Sequence, residues 1–176
     1  LVFSQHLNQT LNIQLPGLYN SGTADSISIF YKGIPAGSGF GSFVKSSHNG
    51  QPVIWTLSEP YGARDWWPCR NGLDDKTDSI DVYITHPSKY RASSNGIKKK
   101  KKTRGNTTTI HYKHSYPIAT YLVAMAVTNY SVFTDNVKIG NKTLPVIQYI
   151  YPEDSAAFRN AIPTTLNALK FFSESF

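Results

Sequence analysis

"PVIWTLSEPYGARDWWPCRN", residues 52–71, starts as a strand and ends as something else. Val53, Ile54 and Trp55 are residue types that favour an extended, half-buried backbone. Such a strand would ordinarily run into a core and stop at a polar turn. This one delivers Glu59 at its end, just before Pro60, and then returns to Trp66 and Trp67. Proline disfavours α geometry in the preceding residue, so Glu59 is expected to be extended and held at the strand tip.

Outward from this stretch the chain reads as β-structure almost to residue 152. "LNQTLNIQL" (7–15) and "DSISIFY" (25–31) alternate apolar and polar residues, as half-buried strands do. "DSIDVYITH" (78–86) puts Ile80, Val82 and Ile84 on one face, and "ATYLVAMAV" (119–127) reads as a fully buried strand. "YSVFT" (130–134) and "LPVIQYIY" (144–151) follow, separated by Asn and Gly turns. Asn95-Gly96 signals a turn after the short strand "YRASS". The lysine run and "TTTIHYKH" (107–114) then form the two arms of a polar hairpin. "GIPAGSGFGS" (33–42) is a glycine-rich loop; the spacing of its "GSGFG" (37–41) is wrong for a dinucleotide fingerprint and predicts a flexible turn.

From residue 153 the period becomes helical. Asp154 or Ser155 is the expected N-cap, and Ile162, Leu166, Leu169, Phe172 and Phe176 form an apolar stripe. Pro163 is expected to break or kink the helix, or to open a second one. The division is therefore a β-domain over 1–152 and a helix over 153–176. The first residue is Leu1 in a segment that already alternates, and the stripe runs unfinished to Phe176. Both features suggest a piece of a larger protein, its helix packing on a domain beyond the chain.

Composition narrows the function classes. Hydrophobic residues are 40% and aromatics 13% of 176 residues, which supports a sizeable core rather than disorder. No apolar run approaches the roughly 18–20 residues that cross a bilayer as a helix. Six of the seven net positive charges come from Lys98 to Lys102 and Arg104, so the excess is one run and not a broad basic face. No stacking aromatic lies within that run, which argues against a nucleic-acid partner. Lysines that discourage edge-to-edge pairing of a hairpin explain it as well.

Metal and nucleophile chemistry find little support. His6, His48 and His86 are isolated, and on a strand His111 and His114 point to opposite faces. Neither HExxH nor a Cys/His cluster occurs. The acids of "LDDKTDSID" (73–81) lack calcium-loop spacing and read as a turn entering a strand. Cys69 is the only cysteine and has no histidine close in sequence, so it reads as a buried structural thiol. Glu59 remains. It serves either an ion pair with Arg64 or an outside cation such as a ligand amine, and the residues alone leave both open.

"TLSEPYGARDWWPCRN" (56–71) resembles the N-terminal domain of the aminopeptidase N-like zinc metallopeptidases, the gluzincin aminopeptidase family. Members carry a pattern close to T-Q-x-[EQ]-x-x-x-A-R-x-x-[FW]-P-C-x-D. Thr56, Glu59, Ala63, Arg64, Trp67, Pro68 and Cys69 fall in register with it. The likeness continues through "DKTDSIDVYITHPSKYRASSNG" (75–96), "YPIATYLVAMAV" (116–127) and "LNALKFFSESF" (166–176).

The resemblance implies an antiparallel, saddle-shaped β-sandwich packed against a thermolysin-like catalytic domain. That domain would carry the zinc, and a peptide N-terminus would be the substrate. HExxH and the GxMEN loop are not in these residues, so the chain alone is expected to hold no catalytic zinc and to cleave nothing. The family role that transfers is that of Glu59, which would reach the active site and hold the substrate's α-amino group. Trp66, Trp67 and Cys69 would be the packing that fixes its loop. Leu57 stands where many members have Gln, and Asn71 where they have Asp. A different reading is a non-catalytic β-sandwich module that binds glycan or protein through exposed aromatics and the lysine ribbon. The Asn/Ser/Thr/Tyr-rich composition suits an exported bacterial protein.

Overall fold

The strand tip that carries Glu59 is positioned by two facing antiparallel sheets. The computed structural model describes residues 2–7, 10–35 and 42–176. They divide into two units, Leu1–Lys32 and Gly33–Phe176, taken here one at a time.

In the first unit β1 (Val2–Gln5) pairs with β2 (Leu11–Gln14), Val2 opposite Gln14 and Gln5 opposite Leu11. The single strand expected over 7–15 is thus corrected to 11–14. The His6 amide donates to the Thr10 carbonyl at 2.9 Å, closing a turn where the alternation had suggested extended chain. No strand forms over 25–31, and Ile27, Ile29 and Tyr31 are exposed. Alternation makes a strand only where a neighbour supplies the ladder of hydrogen bonds. The glycine-rich turn expected at 37–41 lies outside the described residues.

The second unit runs β3 (Ser42–His48), β4 (Gln51–Leu57), β5 (Lys76–Thr77), β6 (Ile80–Pro87), β7 (Arg91–Ser94), β8 (Ile97–Arg104) and β9 (Thr107–His114). It continues with β10 (Ile118–Ala119), β11 (Met125–Thr128), β12 (Ser131–Ile139), β13 (Lys142–Ile150) and one helix, α1 (Ser155–Ser175). Sheets form in the orders β3-β4-β11-β7, β6-β9-β8, β12-β13 and β10-β5, all antiparallel. Ile84, Ile110 and Tyr112 of the second sheet pack with Ala92 and Val127 of the first, and this is the core of the sandwich. The β9 pattern shows why: Thr108, Ile110 and Tyr112 are buried while the residues between them are not. Asn95 and Gly96 make a turn, but one that passes the chain from β7 in one sheet to β8 in the other.

"ATYLVAMAV" is not one strand. Ile118–Ala119 pairs briefly with Lys76–Thr77, a 3₁₀ turn covers Thr120–Leu122, and pairing resumes at Met125. Asn95 holds the interruption, its Nδ2 donating to the Leu122 carbonyl at 2.9 Å and its Oδ1 accepting from the Ala124 amide at 2.6 Å. The helix runs through Pro163 without a break. Pro163 and Arg159, one turn earlier, are both exposed, so the carbonyl that loses its helical donor is open to water. Asp154 precedes the helix but makes no side-chain cap; a 3₁₀ turn over Pro152–Asp154 leads in instead.

Tyr112 ties the sandwich to the β12-β13 hairpin. Its hydroxyl donates to the Ala92 carbonyl at 2.7 Å and lies 3.0 Å from the Tyr149 hydroxyl. Tyr112→Phe removes the hydroxyl's bonds to the Ala92 carbonyl and to Tyr149 and should cost about 1–2 kcal/mol in a denaturant titration. Burial, then the Tyr149 bond, hold the Tyr112 phenol well above the ordinary tyrosine range. A pKa raised in the folded state gives stability that is intact below the unfolded value of about 10 and lost as pH rises past it. Alkaline unfolding of the wild type should therefore be steeper than that of the Phe variant.

Candidate functional site

β4 ends at Leu57 because Ser58 turns inward. Ser58 is buried and accepts a hydrogen bond from Trp66 Nε1 at 2.9 Å. Its own hydroxyl donates to the Ser42 carbonyl at 3.4 Å, at the start of the neighbouring strand β3. The Gly62 amide then donates to the Ser58 carbonyl at 2.8 Å, closing a loop of which Glu59, Pro60 and Tyr61 are the exposed crest. The Glu59–Pro60 peptide is cis.

Beyond the crest, Ala63–Asp65 forms one 3₁₀ turn whose Ala63 is wholly buried. Asp65 Oδ2 accepts from Ser42 Oγ at 2.7 Å. Ser42 has φ 37°, in the left-handed region that a non-glycine residue seldom adopts. Bonds to Ser58 and Asp65 hold it there. Phe43, Trp66 and Trp67 line up behind the turn, with ring centroids 6.2 and 6.0 Å apart. Asn71 Nδ2 donates to the Tyr61 carbonyl at 2.8 Å, bracing the crest from the far side. An aspartate there could only accept, so the departure from the family pattern at 71 supplies a bond that the usual residue cannot.

Of the two roles left open for Glu59, the ion pair with Arg64 is not made among the described residues. Among the described residues the Glu59 carboxylate has neither salt bridge nor hydrogen bond, and Arg64 is exposed. The Arg64 charge acts instead, weakly, on the Cys69 thiol. Cys69 is half-buried rather than buried; burial pushes its thiol up, partly offset by a hydrogen bond with Thr120 and by Arg64. A thiol so raised stays protonated near neutrality and is a poor nucleophile. Thr120 also donates to the Arg70 carbonyl at 3.1 Å, so the segment after the tryptophans is fastened to the 3₁₀ turn over Thr120–Leu122.

Two of the histidines are held by structural partners, whereas buried His86 keeps its Nε2 without one among the described residues. His111 Nε2 meets Asp81 at 2.6 Å and stacks on Tyr83, while His48 stacks on Tyr151 and bonds Glu153. Among the described residues no three His, Cys, Asp or Glu side chains converge as a metal site would require. Reading the sequence missed Ser42, Ser58 and Tyr61, and marked Asn71 only as a departure from the family pattern. Ser58, Tyr61 and Asn71 lie inside the quoted motif; Ser42 is a partner across strands, and nothing local marks it.

Comparison with known proteins supplies the context. The Peptidase M1 N-terminal domain family matches residues 1–122. Human glutamyl aminopeptidase is 32% identical over 134 residues, covering 74% of this chain and 14% of the relative. The bovine glutamyl aminopeptidase is 28% identical over 125 residues, covering 70% of this chain and 13% of the relative. The chain thus spans about a seventh of the length of these relatives. A two-domain M1 zinc metallopeptidase mutant bound to L-arginine superposes with a TM-score of 0.57 at 23% identity, over 71% of this chain and 31% of that one. The M1 zinc metallopeptidase of Deinococcus radiodurans gives 0.50 at 24% identity, over 55% of this chain and 22% of that one. At these identities the structural likeness speaks for the fold alone.

Proposed function

The chain belongs to the Peptidase M1 N-terminal domain family, and from that premise we propose that it is the substrate-flanking domain of a zinc-dependent aminopeptidase in which Glu59 receives the substrate's α-amino group. One observation carries the reading: Glu59 is an exposed carboxylate, unpaired among the described residues, on a crest whose two feet are tied by buried hydrogen bonds. A carboxylate kept for structure would be paired.

The chemistry suits the task. A terminal ammonium carries three donors, and a fixed carboxylate recognises it through charge-assisted hydrogen bonds. Holding the amine at a set distance from the scissile bond restricts cleavage to the first residue. Tyr61 and Leu57, both exposed beside Glu59 in sequence, would wall the same end of the cleft. The tied loop matters because a recognition group acts well only when its support is rigid. In the proposal zinc belongs to the catalytic domain, where it would polarise the scissile carbonyl and activate water. The exposed Leu169, Phe171, Phe172 and Phe176 at the end of α1 support that helix as the connection to it. An exported bacterial setting, read from composition, is part of the same proposal.

The test is made in the complete enzyme that carries this chain. Glu59→Ala should lower kcat/KM for a free-amine substrate by roughly 10- to 100-fold, the worth of one charge-assisted hydrogen bond. Because Glu59 is exposed, the melting temperature should hardly move. Unchanged kcat/KM in the variant, or equal hydrolysis of the N-acetylated substrate by the wild type, would sink the proposal.

A further inference from the structure

The lysine run left over from the sequence has a definite geometry. β8 is the edge of its sheet, and every one of its residues is exposed. A register shift between Lys98 and Lys100 resets the alternation, so that Lys100 lies opposite His111, Lys102 opposite Thr109 and Arg104 opposite Thr107. On the far side of β9, Tyr83 is opposite His111 and Thr85 opposite Thr109. All of these lie on the sheet face turned away from the core, because Ile84, Ile110 and Tyr112 occupy the other.

Together they make a shallow depression of about 290 Å³ lined by Tyr83, His111, Thr109, Lys100, Lys102 and Arg104. Its three cations recur at every second residue, about 7 Å apart along the strand. Its floor holds Thr107, whose hydroxyl donates to the Arg104 carbonyl at 3.1 Å, and Thr109, bonded to Thr85 at 2.8 Å; each hydroxyl oxygen keeps capacity to accept. At one end the Tyr83 and His111 rings stack 4.3 Å apart and nearly parallel, with Tyr83 65% exposed.

The acid nearby does not quench this face. Asp81 gives one oxygen to His111 at 2.6 Å and the other to Lys113 at 2.6 Å. Lys100, Lys102 and Arg104 have no ion pair among the described residues. Lysines that merely guard a sheet edge require neither a depression nor an aromatic platform.

We propose that this outer face of the β6-β9-β8 sheet binds an anionic polysaccharide, its sulfates or carboxylates on Lys100, Lys102 and Arg104 and one sugar ring on Tyr83. Evenly spaced cations match the repeating charge of such a chain. Hydroxyls on the floor match hydroxyls on the sugar, which neither an acidic peptide nor a phosphodiester backbone uses as fully. A single platform suits one sugar face, whereas single-stranded nucleic acid is held by aromatics for successive bases. The site is independent of Glu59.

A heparin-type sulfated oligosaccharide titrated calorimetrically onto the full 176-residue chain provides the test. Binding should weaken as salt is raised. Lys100→Ala/Lys102→Ala should weaken it about tenfold or more, taking each contact at its surface-pair worth. Lys98→Ala/Lys101→Ala removes the same charge from positions opposite Tyr112 and Ile110, on the other face, and should change it less than about threefold. Tyr83→Ala should weaken binding and Tyr83→Phe restore it, with circular dichroism confirming that both variants fold. Equal losses from the two lysine pairs would show that the strand is sensed only as charge and would overturn the proposal. Tighter binding of an oligodeoxynucleotide or of polyglutamate at equal charge would overturn it in favour of that polymer, as would absence of binding altogether.

Discussion

Ile162→Ala should destabilise the chain by about 2–4 kcal/mol and release α1 before the sheets unfold. Ile162 is 4% exposed and is the helix's one buried side chain. Leu166 and Ala168 are half-buried, and Leu169, Phe171 and Phe172 face outward. The helix rests on β12, where Arg159 Nη1 meets Asp135 Oδ2 at 2.5 Å and its guanidinium lies 5.3 Å from the centre of the Phe133 ring. That ion pair is partly exposed, and pairs of its kind add little. Docking therefore depends chiefly on apolar burial, of which Ile162 is the deepest part. Amide exchange should show α1 losing protection well before β9 in the variant, while Leu169→Ala should cost under about 1 kcal/mol. An Ile162→Ala cost below that of Leu169→Ala would mean that the helix is held by something other than this burial.

The helical stripe shows how far sequence reaches here. Its period correctly located α1, and Ile162 is buried and Leu166 half-buried as the stripe requires. Nothing in the period separates residues that bury from those that stay exposed, because that depends on what lies opposite. The same limit explains the amino-terminal segment: "DSISIFY" alternates like a strand but forms none, since alternation is silent about partners. Conversely, β3 was overlooked although its signal was present. Asn49 and Gly50 both have positive φ, at 47° and 73°, the geometry of a two-residue hairpin turn between β3 and β4. "SFVKSSHNGQPVIWTL" carries that Asn-Gly turn as plainly as Asn95-Gly96 does. At the candidate site, Glu59 stands out by residue type and by its place before proline, and the role proposed for it comes from the family pattern. Its support was not. Ser42 reaches Asp65 across 23 positions, and no local pattern specifies such a contact.

Gly62→Ala should be the most damaging substitution at the crest, costing about 2–3 kcal/mol of stability and, under the proposed function, lowering peptide turnover as well. A Cβ at residue 62 would stand 2.0 Å from Ser42 Oγ, 3.0 Å from Ser42 Cβ and 3.3 Å from Ser58 Cα. Ser42 is 1% exposed and has little room to yield. Turning its hydroxyl aside also breaks the 2.7 Å bond to the Asp65 carboxylate. The backbone of Ser58 cannot retreat either, because its carbonyl accepts from Gly62 itself and its hydroxyl from Trp66. The strain therefore passes to the residues between, which are Glu59, Pro60 and Tyr61. A double-mutant cycle separates this account from a general loss of packing. Ser42→Ala alone forfeits the Asp65 bond, yet it also removes the atom nearest the new methyl. The Ser42→Ala/Gly62→Ala double variant should then be more stable than the sum of the single losses by about 1 kcal/mol or more. Strict additivity would show that the methyl is accommodated elsewhere, and that Ser42 does not hold the crest on which Glu59 stands.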